Sequence, residues 1–211
     1  MIKITESMLD SLREDMMKKM SPKRFRHTVA VEQMVLRLCD LFCPKESMLL
    51  RAAALLHDVT KERTAEEQIA LCEAYGLPVS PQDYLAPKTF HARTAAAMIP
   101  REYPDFAHPT VIDAVRWHTT GHADMTLTEK LLYLADYIDE SRSFENCVIL
   151  RRYFWGAHPE ELSREAREVL LQDTLILSYR MTVEDLLADG APVAIDTVEA
   201  RNQLLLEKSM P

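Results

Sequence analysis

The sequence predicts an all-α fold. Only four glycines occur in 211 residues, alternating β-branched runs are scarce, and apolar residues recur at spacings of three and four behind capping residues. The length is enough for one sizeable core, and no shift in composition marks a boundary. The chain is therefore read as one domain, residues 1–211. Its core spans about 19–145, and C-terminal helices of about 146–208 pack on it.

The elements follow in order. Thr5 to Lys19 has helical periodicity and ends in a basic turn. Ser21-Pro22 supplies an N-cap and a first-turn proline for a second helix reaching about Phe42. Glu46 to about Asp58 is a third, rich in alanine and leucine. Thr64 with Glu67 makes a capping box for a helix ending near Gly76. Residues 77–89 hold three prolines and read as a loop, followed by a short helix from His91 to Ile99. Pro109 opens a helix ending near His118. Thr126 with Glu129 opens another to about Ser141, and further helices are expected at roughly 145–154, 159–181 and 197–208.

A net charge of -8 repels a phosphate backbone, which excludes nucleic acid as an electrostatic partner. A small phosphorylated substrate remains compatible, because a metal and a few cations can reverse the potential inside one pocket. No export signal and no run of about 18 apolar residues is found, so no membrane contact and a cytoplasmic location are expected. Cys39, Cys43, Cys72 and Cys147 form no Cys-x-x-Cys pair and are expected to be reduced, mostly buried thiols.

Polar residues interrupt three apolar helix faces. The second helix carries a stripe through Val31, Met34, Val35, Leu38 and Leu41, and His27 lies one turn before it. The third reads Ala52-Ala53-Ala54-Leu55-Leu56 and then His57-Asp58. A carboxylate there meets the negative end of the helix dipole and calls for a cation. Asp136 lies one turn after Leu132, in or beside the stripe of Leu131, Leu132, Leu134, Ala135 and Ile138. A divalent cation would compensate both aspartates, and imidazoles would complete its shell. Singly, each residue also fits a hydrogen-bonded core position or a misjudged helix face. His91 and His118 are further candidates. After His118, Thr119-Thr120-Gly121 either cradles phosphate oxygens or caps a helix.

The order His27, His57-Asp58, Asp136 resembles the HD superfamily of metal-dependent phosphohydrolases. Longer stretches sharpen this: Arg24-Phe25-Arg26-His27-Thr28-Val29, Leu56-His57-Asp58-Val59-Thr60-Lys61, Phe90-His91-Ala92, Trp117-His118-Thr119-Thr120-Gly121, and Ala135-Asp136-Tyr137-Ile138-Asp139 through Arg142. Together they look like the YqeK family of bacterial symmetrical diadenosine tetraphosphatases, over about nine-tenths of the chain.

The resemblance implies an HD-type helical bundle with a dinuclear centre of divalent transition metal, iron or else manganese. His27, His57, Asp58 and Asp136 would bind one metal, and Asp58 would bridge to a second held by His91 and His118. Metal-activated hydroxide would attack phosphorus in diadenosine tetraphosphate and give two ADP. Asp58 and Lys61 are the catalytic candidates. Arg24, Lys61, Thr119, Gly121 and Arg142 are candidates for contacting a dinucleoside polyphosphate or nucleoside diphosphate. Lys61, about one turn after the His-Asp pair, either reaches a phosphate, protonates the leaving group, or is solvated. The position after His-Thr-Thr-Gly is usually basic in such sequences, whereas His122 stands here and adds less charge at pH 7. Two other readings compete: an HD phosphohydrolase for other nucleotides, and a non-catalytic nucleotide-binding module. His108 and His158 each precede a proline at a helix start and read as surface or capping residues.

Overall fold

Ten α-helices and no strand occur among the described residues, 3–81 and 83–209, of this computed structural model. Residues 1–2 and 210–211, at the ends of the expected 1–211 domain, lie outside the described residues. The helices are α1 (Glu6–Lys19), α2 (Pro22–Phe42), α3 (Ser47–Leu56), α4 (Ala65–Tyr75) and α5 (Phe90–Glu102), followed by α6 (Pro109–Trp117), α7 (Leu127–Ile138), α8 (Glu145–Gly156), α9 (Arg164–Ala188) and α10 (Ile195–Ser209). Among the described residues, none is long and apolar enough to cross a membrane.

The caps form where the sequence places them. The Ser21 side chain accepts from Arg24 N, and both capping boxes, Thr64 with Glu67 and Thr126 with Glu129, are complete. Gly76 closes α4 in the left-handed conformation, φ 68°.

Several boundaries differ from expectation. Helix α3 ends at Leu56, because the chain then tightens through i→i+3 bonds, Val59 N to Leu56 O and Lys61 N to Asp58 O. Helix α7 stops at Ile138, because Asp139 turns extended and Arg151 donates to the Ile138 and Arg142 carbonyls. Helix α5 runs on through Pro100 to Glu102: the ring removes one N–H bond, but the ladder continues past it, with Tyr103 N donating to Ile99 O. Pro159 opens only a 3₁₀ turn; α9 begins behind the Ser163 N-cap instead and continues to Ala188.

One apolar cluster runs from Leu9 and Met16 of α1 through Val35 and Leu38 of α2 and Leu55 and Leu56 of α3 to Leu204 of α10. Burial of these side chains is the main stabilising term. A buried charge, Glu32 on α2, receives hydrogen bonds from Arg13 of α1 and Arg51 of α3, which fixes the three helices against one another. At the opposite side, Ser21 N donates to Glu62 at 2.8 Å and ties the start of α2 to the segment after Asp58. Tyr179 of α9 stacks on Tyr133 of α7 with 4.7 Å between ring centroids, which seats the C-terminal layer on the bundle.

Candidate metal centre

Six candidate side chains meet at helix ends. His57 and Asp58 follow α3, His118 follows α6, and Asp136 lies in the last turn of α7. Three helix C-termini therefore point their negative dipole ends at one volume, where a cation is favoured. His27 enters from the first turns of α2 and His91 is the second residue of α5.

The imidazoles are oriented alike. His57 Nδ1 donates to Ala54 O at 2.6 Å, His91 Nδ1 to Lys88 O at 2.8 Å, and His118 Nδ1 to Val115 O at 2.7 Å. Each bond reaches back three residues, so each ring is fixed by its own segment. With Nδ1 donating, the tautomer leaves the Nε2 lone pair free and aimed inward. His27 reaches the same arrangement through tertiary contacts: its Nδ1 lies 3.3 Å from both Asp139 Oδ2 and Ser141 Oγ.

Asp58 divides its two oxygens. Oδ2 faces His57 Nε2 at 3.4 Å and His27 Nε2 at 3.7 Å, whereas Oδ1 faces His91 Nε2 at 3.3 Å and His118 Nε2 at 3.7 Å. Asp136 Oδ1 stands 2.9 Å from His27 Nε2 and 3.7 Å from His57 Nε2.

The donor set fits a metal on two observations. His57 Nε2 is buried and has no hydrogen-bond partner. His91 Nε2 and His118 Nε2, both left as lone pairs by their Nδ1 bonds, face each other at 3.0 Å, and a cation held by both rings would relieve that opposition. His27, His57 and Asp136, and again His57, Asp58 and His118, each bring ligand atoms within 4.8 Å of one another and could hold an ion.

The charges respond to this crowding. Burial alone would raise the Asp58 carboxyl, but the His57, His118 and His91 rings hold it well below the ordinary carboxylate range. Asp136 is likewise held low, against its burial, by Arg142, His27 and His57. Burial opposes charge on His27, yet Asp136 and Asp139 outweigh it and lift the ring to about 9. Burial drives His91 down to about 4 against the pull of Asp58, and it lowers His118 and Lys61 as well.

The other sequence candidates divide. Arg24 pairs with Asp58 and Arg142 with Asp136, both on the His27 side. Lys61 Nζ lies 3.2 Å from His91 Nε2. Thr119 Oγ1 lies 3.1 Å from the Nε2 atoms of both His91 and His118. Gly121 is held by packing: its N–H caps Trp117 O, its φ is +65°, and an added Cβ would stand 1.9 Å from the Tyr179 hydroxyl. His122 packs against Trp117 with its ring tilted by 41° and meets Glu129 at 3.2 Å, so it serves the capping box of α7.

Asp139, which the sequence offers only as part of a longer motif and without a role, is wholly buried against His27. Its signal was faint: a second carboxylate three residues after Asp136, past an expected helix that was drawn too long. The Thr60, Thr94 and Gln68 network was missed too. Thr60 Oγ1 donates to His91 O at 3.0 Å and Gln68 Nε2 to Thr60 O at 2.5 Å, which holds the His91 backbone.

Comparison with known proteins gives the family. The HD domain profile matches residues 24–141, over half of the chain. A symmetrical bis(5'-nucleosyl)-tetraphosphatase of Bacillus subtilis is 30% identical over 89% of this chain and 92% of its own length. One bearing the same name from Halalkalibacterium halodurans is 31% identical over 88% and 90%. A solved structure, a predicted HD superfamily hydrolase involved in NAD metabolism from Clostridium acetobutylicum, superposes with a TM-score of 0.81. It is 26% identical and covers 94% of this chain and 97% of its own.

Proposed function

This chain is a hydrolase of the HD domain family, and from that premise we propose that it cleaves diadenosine tetraphosphate symmetrically into two ADP at a dinuclear, iron-containing centre, in the cytoplasm. The observation that carries this is the division of Asp58 between two sets of imidazoles, since one carboxylate with each oxygen facing its own pair suits a bridging ligand. His27, His57, Asp58 and Asp136 would hold one ion, and Asp58, His91 and His118 the other.

Two divalent cations so held would supply positive charge to the phosphoryl oxygens and make a water acidic enough to lose its proton near neutral pH. The protein's part is positioning and charge. Arg24 and Arg142, on the His27 flank, bind phosphate oxygens of one half of the substrate. Lys61, beside His91 and eased toward deprotonation by burial, hands a proton to the departing diphosphate oxygen. Thr119 directs its hydroxyl into the same space. Histidine and carboxylate ligands without thiolate suit iron or manganese.

Elemental analysis of the freshly purified protein, paired with product analysis on diadenosine tetraphosphate, tests the reading. Two ions per chain with ADP as the sole nucleotide product is the expected result; AMP together with ATP rejects it.

A further inference from the structure

Beside His91 a cleft of about 220 Å³ opens between the segment after Asp58, the start of α4 and the turn before α5. Lys61, Arg63 and Lys88 line it, and no Asp or Glu does. Three cations around a small cleft, in a chain of net charge -8, make a local potential opposite in sign to that of the whole. On the other flank, Arg24 and Arg142 are already paired with Asp58 and Asp136. Cationic side chains thus stand on both sides of the ligand cluster.

We infer that this cleft is the binding site for the second diphosphate of the substrate, with Arg63 and Lys88 as specificity residues that the family motifs do not include. The inference rests on the reading of the substrate as a dinucleoside tetraphosphate. A linear anion whose central bond lies at the cluster extends two phosphates each way. The Arg24 and Arg142 flank receives one pair, and Lys61, Arg63 and Lys88 receive the other. Cationic side chains on both flanks favour a chain centred on the cluster, hence cleavage in the middle. A substrate with a single phosphate beyond the cluster leaves Arg63 and Lys88 without a partner and gains nothing from them.

The test uses the metal-loaded full chain carrying Arg63→Ala with Lys88→Ala. Both side chains are exposed, so the fold tolerates their loss. KM for diadenosine tetraphosphate rises by about three- to ten-fold, the size expected for two exposed charge contacts. At the same time kcat stays within about two-fold, and KM becomes less sensitive to salt because fewer charges meet the phosphates. Lys45→Ala, exposed in the 3₁₀ turn after α2, changes none of these. Unchanged KM and unchanged salt dependence in the double variant overturn the inference. If the wild-type chain releases no ADP from the tetraphosphate, the substrate reading fails by itself. Calorimetric binding of inorganic pyrophosphate to the metal-loaded protein then decides the cleft: weaker binding in the double variant upholds it, and equal binding overturns it.

Discussion

Asp139 Oδ2 lies 3.3 Å from His27 Nδ1, with the carboxylate wholly buried and Arg142 Nε 3.4 Å from the same oxygen. Ser141 donates its N–H to the other oxygen at 2.8 Å, which fixes the carboxyl plane. His27 is the one imidazole of the four whose Nδ1 neighbours come from a distant segment: the Ser141 hydroxyl at hydrogen-bond distance, and the Asp139 carboxylate as a charge partner, rather than a carbonyl three residues back. Partners of this kind hold a ligand ring in position and raise its basicity.

Replacing Asp139 by Asn therefore weakens metal binding by about 10- to 100-fold, read by competition with a chromogenic chelator. With metal in excess, most of the lost kcat returns, because on the proposed reading Asp139 acts only through His27, behind which it is buried. A kcat loss that excess metal does not repair would show that Asp139 does more than position His27.

Asp58→Ala removes the carboxylate shared by both imidazole sets. Metal content falls to less than half, and release of ADP from diadenosine tetraphosphate falls to background. The same substitution leaves the half-buried Arg24 guanidinium without its carboxylate partner, so a lower melting temperature accompanies the loss. Full metal content in this variant contradicts the bridging arrangement.

Chelation exposes a pH dependence. His27 is lifted from 6.5 to about 9 by Asp136 and Asp139 against its burial. A folded-state value above the unfolded one stabilises the protein fully below 6.5, and the contribution disappears as pH rises through about 9. Chelator-treated protein should lose melting temperature between these limits, and His27→Ala should lack that decline. Metal affinity rises over the same interval, because the ion and the proton compete for the ring. A flat melting profile for the chelated wild type would contradict this account.

Gly121→Ala sets a Cβ against the Tyr179 hydroxyl and forces an L residue to φ +65°. The two effects together cost on the order of 3 kcal/mol, a fall of about 6–12 °C in melting temperature for a chain of this size. Tyr179→Phe added to it removes the nearest clash at 1.9 Å but leaves Met125 Sδ at 2.9 Å, so recovery is partial. Scanning calorimetry of the single and double variants reads both effects.

Much of the fold was legible because its signals are local. Ser21, Thr64 and Thr126 cap the helices they were expected to cap, and the apolar stripe of α2 is the face that is buried. Boundaries were misjudged where a distant group intervenes. Helix periodicity alone would carry α7 to Ser141, but Arg151 captures the carbonyls at its end and Asp139 turns out of the helix.

The chain by itself determined which residues interrupt apolar helix faces, and it fixed three of the four rings, since His57, His91 and His118 each donate to a carbonyl only three residues away. Only the tertiary structure decided which oxygen of Asp58 faces which imidazoles, that Asp139 stands behind His27, and that Lys61, Arg63 and Lys88 share a cleft. Hydrogen bonds within one turn depend on neighbours along the chain. Contacts across 30 to 115 residues depend on how helix faces pack, and that packing is set by side-chain shape and burial acting over the whole core.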